Sequence, residues 1–286
     1  MNDDITVVVT CFNDGQFLPE ALASALEQEG GTPQLIVVDD GSTEAETLRA
    51  LEQLPADARL IRQANAGTPA ARNTGLRAAQ SRYTILLDAD DRLAPTALRR
   101  LREPLDGDPN LGFSYGLTRF FGRWEGILML PAYDPYKLLY RSLVGSTALM
   151  RRELLADVGG FDPQFLGYED WEFWLHALAE GWRGQRVEDV TLFYRRHGAS
   201  RHMGARSNYR VWYGALRHKH NRLYTREQRR RLAAESDLSA VGRAVYRWWW
   251  GTRPVPARLE LALQGILWRP ASASANPVPT DAGAPR

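Results

Sequence analysis

"ITVVVTCF", Ile5 to Phe12, decides the architecture. It is a near-continuous apolar run rich in β-branched residues, as expected of a strand covered on both faces in a parallel sheet. The next stretch, "FLPEALASALEQ", puts Leu18, Leu22, Ala25 and Leu26 on one helical face. "QLIVVDDGST" (34–43) is a second strand that stops at Gly41, and Thr43 with Glu46 has capping-box spacing for a helix through Leu54. A short strand, "RLIRQ", leads to "NAGTPAARNTGLRAAQ", where Thr68 and Pro69 fit the N-cap and first position of another helix. "YTILLDADD" (83–91) then supplies a further strand. Strands joined by helices of this length need crossovers. The expected class is therefore α/β, Rossmann-like: an open, mostly parallel twisted sheet with flanking helices.

Ligands of such sheets bind beyond the carboxyl ends of the strands. That rule gathers Asp39, Asp40, Asp88, Asp90 and Asp91 on one edge. Carboxylates this close repel unless a cation or a donor takes up the charge. Asp-x-Asp at a strand end can present oxygens to Mg²⁺ or Mn²⁺, which share their remaining sites with water and substrate phosphates. A solvated acidic turn with Asp91 capping the next helix is the competing reading, and the triplet alone does not decide between them. Asp39 ends a different strand and is placed to meet the same ligand, accepting from a base imide or ribose hydroxyls. Between the acidic clusters, Gly67 permits close backbone approach, and Arg72 lies one turn into a helix facing the site. Its guanidinium suits a diphosphate or the neighbouring carboxylates. The sequence contains neither G-x-x-x-x-G-K-[ST] nor G-x-G-x-x-G. A nucleotide diphosphate would be held here by carboxylates and metal rather than by a glycine loop.

The middle of the chain is less regular. "LGFSYG" and "LTRFFG" read as short strands, and "STALMRRELLADVGGFD" as strand, short helix and Gly-rich turn. "EDWEFWLHALAEG" is a helix opening on Glu169 and Asp170, with Trp171, Trp174, Leu175 and Leu178 as its apolar stripe. "TLFYRRHGASRH" is a strand running into a polar loop. Cys11 is expected as a packed thiol, and His202, His218 and His220 at the surface.

With 286 residues, 44% hydrophobic and 24% charged, the chain can bury a sizeable core. Net charge is only +2, but arginines recur every few residues from Arg195 to Arg269 while acids are sparse. Cys11 is the sole cysteine, so no intrachain disulfide can form. The start, "MNDDITVVVT", lacks the basic region and long apolar core of a signal peptide, and no run reaches about 18 apolar residues. A cytoplasmic setting is expected, peripheral to the inner face of the membrane if the basic region binds lipid. "AVYRWWWGTRPVPARLELALQGILWRP" mixes Trp, Arg and apolar residues, which suits an anionic membrane surface. A C-terminal helical subdomain whose tryptophans pack onto the core or a second subunit is the alternative, and the favoured one. A nucleic-acid partner is not expected, because no recognisable module is present and residues 1–200 would go unexplained.

"VVVTCFNDGQFLPEALASAL", "IVVDDGSTE", "NAGTPAARNTGL", "LLDADD", "GGFDPQFLGYEDWEFWLHAL" and "YRRHGAS" follow the order seen in family 2 glycosyltransferases. The resemblance covers about residues 4–200 and resides in the ordered set more than in any one motif. It implies a GT-A nucleotide-sugar fold and inverting sugar transfer that depends on Mn²⁺ or Mg²⁺. The donor implied is a nucleotide diphosphate sugar, a UDP-sugar by the family's commonest usage. The acceptor implied is a glycan or lipid-linked hydroxyl in cell-surface polysaccharide or glycolipid synthesis. Residue by residue, Thr10, Phe12 and Asp39 would frame the base and Asp88 the ribose. Asn13, Asp40, Gly67, Arg72 and Ala89 would complete the nucleotide-sugar set. Asp90 would ligate the metal, and His197 resembles the histidine that in some members reaches the metal or the diphosphate. The "ED" pair, Glu169 and Asp170, would be catalytic, with Asp170 the general base. Thr10 stands where many relatives have proline, and Phe12 where tyrosine is frequent. That change keeps a stacking face and loses a hydroxyl.

The expected organisation is a GT-A domain over 1–204, divided into a nucleotide-binding half (1–100) and an acceptor half (101–204). A basic helical region over 205–270 and a disordered tail over 271–286 would follow. An inactive nucleotide-sugar or glycan-binding module of the same fold is the alternative. The presence of Asp170 beside Asp39, Asp88 and Asp90 speaks against it, since a binder has no need of a base. Oligomeric state cannot be read from the sequence.

Overall fold

The structure is a computed structural model that describes residues 4–123, 125–128, 131–197 and 209–252. Strand β1 (Ile5–Cys11) is buried along its whole length. It pairs in parallel with β2 (Gln34–Asp39) on one side and β4 (Tyr83–Asp88) on the other, and β3 (Arg59–Arg62) extends the sheet beyond β2. Helices α1 (Leu18–Leu26), α2 (Ala45–Glu52) and α3 (Thr68–Ala78) make the crossovers. Because side chains alternate along a strand, Val8, Val38 and Leu86 enter one core while Val7, Val9, Val37, Ile85 and Leu87 enter another. Each face of the sheet is covered, which is why these strands lack polar alternation.

Beyond β4 the sheet changes direction. The chain forms β5 (Arg92–Leu93), α4 (Ala97–Gly107), β6 (Leu111–Gly122), β7 (Gly126–Leu128) and the short helix α5 (Pro135–Leu138). It continues through β8 (Leu149–Arg151), α6 (Arg152–Val158), α7 (Glu169–Ala179) and β9 (Arg183–Arg196). The strand order is β3-β2-β1-β4-β8-β6-β9-β5, with β7 beside β6. β8 runs antiparallel to β4 and to β6, β9 parallel to β6, and β5 antiparallel to β9. The α/β class holds, and "mostly parallel" gives way to a mixed sheet. The second half has one parallel pair, β6 with β9, joined through α6 and α7, while β5, β7 and β8 add antiparallel pairs. "LGFSYG" and "LTRFFG" are one strand, β6, whose irregular register with β9 accommodates the bend between them.

Two local expectations shift. Thr43 does not cap α2; the N-cap is Glu44, and the backbone N–H groups of Thr43 and Glu44 both donate to Asn13 Oδ1. Gly67 rather than Thr68 is the N-cap of α3, which moves Pro69 to the second helical position.

Gly75 shows how closely α3 lies on the sheet. A Cβ there would come 2.1 Å from Val8 Cγ1. Gly75→Ala is therefore expected to cost about 1–3 kcal/mol by overpacking, despite alanine's higher helix propensity. A lowered urea midpoint would register the cost; an unchanged or raised one would mean the helix can lift without penalty.

Past residue 208 lie α8 (Tyr209–Lys219), a 3₁₀ turn (Asn221–Tyr224), α9 (Arg226–Ala234) and α10 (Ala240–Thr252). Trp171 of the α7 stripe packs on α8, its indole stacked on Tyr213 at 5.6 Å and 9°, while Trp174 packs on Phe113 of β6 at 4.2 Å. Trp250 is buried under the Arg141 guanidinium at 4.2 Å, whereas Trp248 is half exposed. His218 is exposed, but His220, expected at the surface, is buried with its Nε2 2.9 Å from Glu172 Oε1. Lys219 Nζ reaches the same carboxylate at 2.7 Å. Burial pushes Glu172 upward, but the hydrogen bonds from His220 and Lys219 outweigh it and hold the carboxyl below its ordinary value. No helix among the described residues is long and apolar enough to cross a membrane. His202, the 253–270 part of the basic region and the 271–286 tail lie outside the described residues.

Candidate active site

The carboxyl ends of β1 and β4 meet in register, Thr10 opposite Asp88, while β2 brings Asp39 opposite Cys11. A cleft of about 410 Å³ opens above them. Thr10, Phe12, Asp40, Gly67, Asp88, Ala89 and Asp90 are among the residues that line it. Phe12 is 45% exposed, an aromatic face offered to the cleft rather than packed. Thr10 Oγ1 donates to Asp88 Oδ1 at 2.9 Å, a bond that proline could not make. Cys11 is buried in the strand as expected. Burial pushes its thiol up to about 12, with the Asp14 and Asp39 charges adding to the rise.

The crowded carboxylates of "DADD" separate into three environments. Asp88 accepts from Arg72 Nη2 through both oxygens, at 3.2 and 3.0 Å. Asp90 Oδ2 lies 2.8 Å from His197 Nε2. Asp91 is buried and accepts the Arg195 backbone N–H at 2.8 Å. Burial and the charges of Asp90 and Asp88 push Asp91 well above the usual carboxylate range. It braces the loop instead of facing the cleft, and it does not cap α4, whose N-cap is Thr96.

Other predicted residues hold the walls. Asp40 accepts from Gln63 Nε2 at 2.7 Å, from the Ala66 N–H and, through Oδ2, from the Gly67 N–H, both at 2.9 Å. Gly67 sits at φ 86°, where a side chain would be strained, so this clamp needs glycine. Asp39 is buried; its Oδ1 accepts the Ser42 N–H, and its Oδ2 lies 3.9 Å from Arg62. Asn13, at φ 57°, spends its side-chain oxygen on the start of α2. Asp40 and Asn13 thus shape the cleft by fixing its loops.

The first turn of α7 joins this cluster through Arg72. Arg72 Nη1 donates to Asp170 Oδ1 at 3.2 Å and lies 3.7 Å from Glu169 Oε1. One guanidinium, 5% exposed, thereby joins a strand-end carboxylate of the first half to two carboxylates of the second. Burial opposes its charge, but Asp88, Asp170 and Glu169 together raise its affinity for the proton. Burial likewise pushes Asp170 up, to about 7; Arg72 pulls it down, and the Glu169 and Asp88 charges push it further up. The Ser146 backbone N–H also bonds to Asp170. That contact comes from the loop before β8, a segment the motifs did not mark. A carboxyl balanced near neutrality suits a group that must take a proton at physiological pH.

The metal expectation can be tested on the donor set. Among the described residues no three His, Cys, Asp or Glu side chains form a metal-binding group. Asp90 and His197 approach as a pair. Such a pair fits Mn²⁺ or Mg²⁺, which take one or two protein ligands and complete their shells with phosphate oxygens and water.

A mixed α/β sheet thus carries an acidic cleft at the ends of its parallel strands. The family model "Glycosyl transferase family 2" matches residues 6–159. The chain belongs to glycosyltransferase family 2, and it is a glycosyltransferase. It is 29% identical over 224 residues to an uncharacterized glycosyltransferase from Nostoc sp., covering 71% of this chain and 68% of that one. It is 25% identical to the Escherichia coli UDP-Glc:alpha-D-GlcNAc-diphosphoundecaprenol beta-1,3-glucosyltransferase WfaP, covering 68% of this chain and 78% of that one. The match to the Rhizobium meliloti succinoglycan biosynthesis protein ExoO, 39% identical, covers 36% of this chain and 30% of that longer one. Among solved structures, Staphylococcus aureus TarS 1–349 with UDP-GlcNAc superposes with TM-score 0.64 at 17% identity, covering 85% of this chain and 70% of that one. The Pyrobaculum calidifontis mannosyltransferase PcManGT with GDP-Man and Mn2+ gives 0.56 at 20%, covering 93% and 80%. At these identities the structures speak to the shared GT-A fold.

Proposed function

We propose that this chain catalyses inverting transfer of a sugar from a nucleotide diphosphate donor, a UDP-sugar, to a hydroxyl of a glycan or lipid-linked acceptor in cell-surface polysaccharide or glycolipid synthesis. The observation that carries the reading is the Arg72 bridge. It ties Asp170, a carboxyl that burial pushes up to about 7, to Asp88 at the acidic strand ends where a diphosphate would sit.

The roles follow from position. Phe12 stacks on the base at the cleft rim, and Asp88 and Asp39 receive ribose and base donors. Thr10 holds Asp88 in place from the neighbouring strand. Asp90 and His197, 2.8 Å apart, would hold Mn²⁺ or Mg²⁺. The bound ion would supply electrostatic stabilisation of the leaving diphosphate. Asp170 orients the acceptor hydroxyl and removes its proton as the oxygen attacks the anomeric carbon from the face opposite the diphosphate. Arg72 keeps Asp170 aimed at the cleft, and Glu169 shares that guanidinium. WfaP uses UDP-Glc by its name, which supports the choice of UDP; TarS with UDP-GlcNAc agrees with it.

Thermal melts with UDP, GDP, dTDP and CDP, each with Mn²⁺, Mg²⁺ or EDTA, test the donor class. UDP is expected to raise the melting temperature only with metal, since a ligand at a hundred times its Kd stabilises by about 2.7 kcal/mol. A shift by GDP instead would replace the base assignment. No shift with any nucleotide, in well-folded protein, would remove the donor site.

A further inference from the structure

We infer that the groove between α9 and α10, on the C-terminal helices, binds the phosphate of an anionic membrane-lipid headgroup. This inference goes beyond the donor-site reading and stands on different residues. The groove has a volume of about 420 Å³ and is walled by Arg226, Arg229 and Arg230 of α9, Arg243 and Arg247 of α10, and Tyr136 of α5. The spacing explains the convergence. Positions 226, 229 and 230 fall on one face of α9, and 243 and 247 on one face of α10. Two helical faces thus present guanidinium groups to one another.

None of these arginines forms an ion pair with a carboxylate among the described residues. Arg243 Nη1 donates to the Ala233 carbonyl and Arg229 Nε to the Thr225 carbonyl, which are neutral acceptors. Arg226, Arg230 and Arg247 are exposed. Cations gathered this way repel one another unless an anion enters, and guanidinium forks match phosphate oxygens in paired hydrogen bonds. The opposite face of α10 identifies the source of that phosphate. Val241, Val245 and Trp248 are 74%, 55% and 55% exposed at i, i+4 and i+7, an apolar ridge turned to solvent. A helix with arginines on one face and Val and Trp on the other has the composition of an interfacial helix, whose apolar side enters the headgroup–acyl boundary. A soluble phosphate would leave that ridge without a purpose. A nucleic-acid strand would want stacking platforms, and among the described residues Tyr136 is the one aromatic ring in the groove wall.

The test is co-sedimentation of the full chain with phosphatidylcholine vesicles and with phosphatidylcholine–phosphatidylglycerol vesicles, at low and high salt. Binding to the anionic vesicles alone, and its release by salt, is expected. Arg230→Gln/Arg247→Gln is expected to lower the partition coefficient roughly thirtyfold, at one electrostatic increment per arginine. Val245→Ser/Trp248→Ser is expected to weaken binding as well. Arg226→Gln/Arg230→Gln, confined to exposed sites on α9, carries the same expectation should the first pair fail to fold. Anionic-vesicle binding that ignores the arginine substitutions overturns the groove. So does absence of vesicle binding, whether inorganic diphosphate then raises the melting temperature through these arginines (a soluble ligand) or an RNA oligonucleotide binds through them. The metal-dependent nucleotide melt shift is measured on the same variants. It should be unchanged, which separates failure of this inference from failure of the donor site.

Discussion

Asp170→Asn is expected to lower kcat by about 10³-fold while the metal-dependent nucleotide melt shift persists, because general-base catalysis contributes within about 10²–10⁴-fold. Asparagine keeps the shape and can still accept from Arg72, and Arg72 keeps both of its bonds to Asp88. The loss therefore isolates the proton transfer from the architecture. The wild-type pH profile should carry the same signature. Asp170 must be ionised to act, so kcat/KM should rise with pH and bend near the value of about 7 to which burial, against Arg72, has pushed the carboxyl. In Asp170→Asn that bend should be gone. Near-normal turnover in the variant, or a profile flat from mildly acidic to neutral pH, would assign the base elsewhere, with Glu169 next in line.

Asp90→Ala has the second large effect, and on a different quantity. It removes the oxygen that His197 contacts at 2.8 Å and leaves the imidazole as the remaining ligand of the pair. Metal-dependent donor affinity is expected to fall on the order of a hundredfold, since losing a ligand should cost at least what losing its supporting partner does. Without Mn²⁺ the nucleotide binding left to Phe12 and Asp88, too weak to shift the melt, should be the same in variant and wild type. Calorimetric titration of UDP with and without Mn²⁺ separates the two contributions. If Asp90→Ala bound nucleotide with undiminished metal dependence, that result would falsify the metal assignment while leaving the Asp170 prediction intact. The two variants thus divide the site between leaving-group stabilisation and proton removal.

The burial of Glu172 beside His220 and Lys219 bears on both experiments. It ties the helix that carries Asp170 to the C-terminal helices through a charged cluster in the core. Its carboxyl is held below the ordinary value, so the stability it contributes is present at neutral pH. That stability is lost as pH falls through the depressed folded-state value. The low-pH arm of the kcat/KM profile should accordingly be collected only down to the pH at which the thermal melt begins to fall.

Much of the first half was legible because its signals are local. β-branched runs bounded by acid and glycine mark strands whose ends share an edge, and side-chain alternation sends neighbouring residues to opposite cores whatever the loops do. The Trp171, Trp174, Leu175 and Leu178 stripe was legible as a buried face of α7 for the same reason. Other assignments depended on contacts between residues distant in sequence. That Thr43 and Glu44 donate to Asn13, across 30 and 31 positions, is visible only in the fold. The same holds for the loop at 63–67, which closes on the oxygens of Asp40. His220 reads as a polar surface residue until Glu172, 48 positions away, is found buried against it.

The sequence by itself determined the α/β class, the edge on which the acids collect and the helix that opens on Glu169 and Asp170. Periodicity and strand-end chemistry are properties of short segments, and short segments can be read in isolation. Tertiary structure alone decided that Arg72 spans from Asp88 to Asp170, that Asp91 is sealed away while Asp88 and Asp90 face the cleft, and that the sheet reverses at β8. It alone brought the arginines of α9 and α10 to opposite walls of one groove. Electrostatic interaction and desolvation depend on distance in space and on exclusion of water. Both are fixed only when the chain has folded.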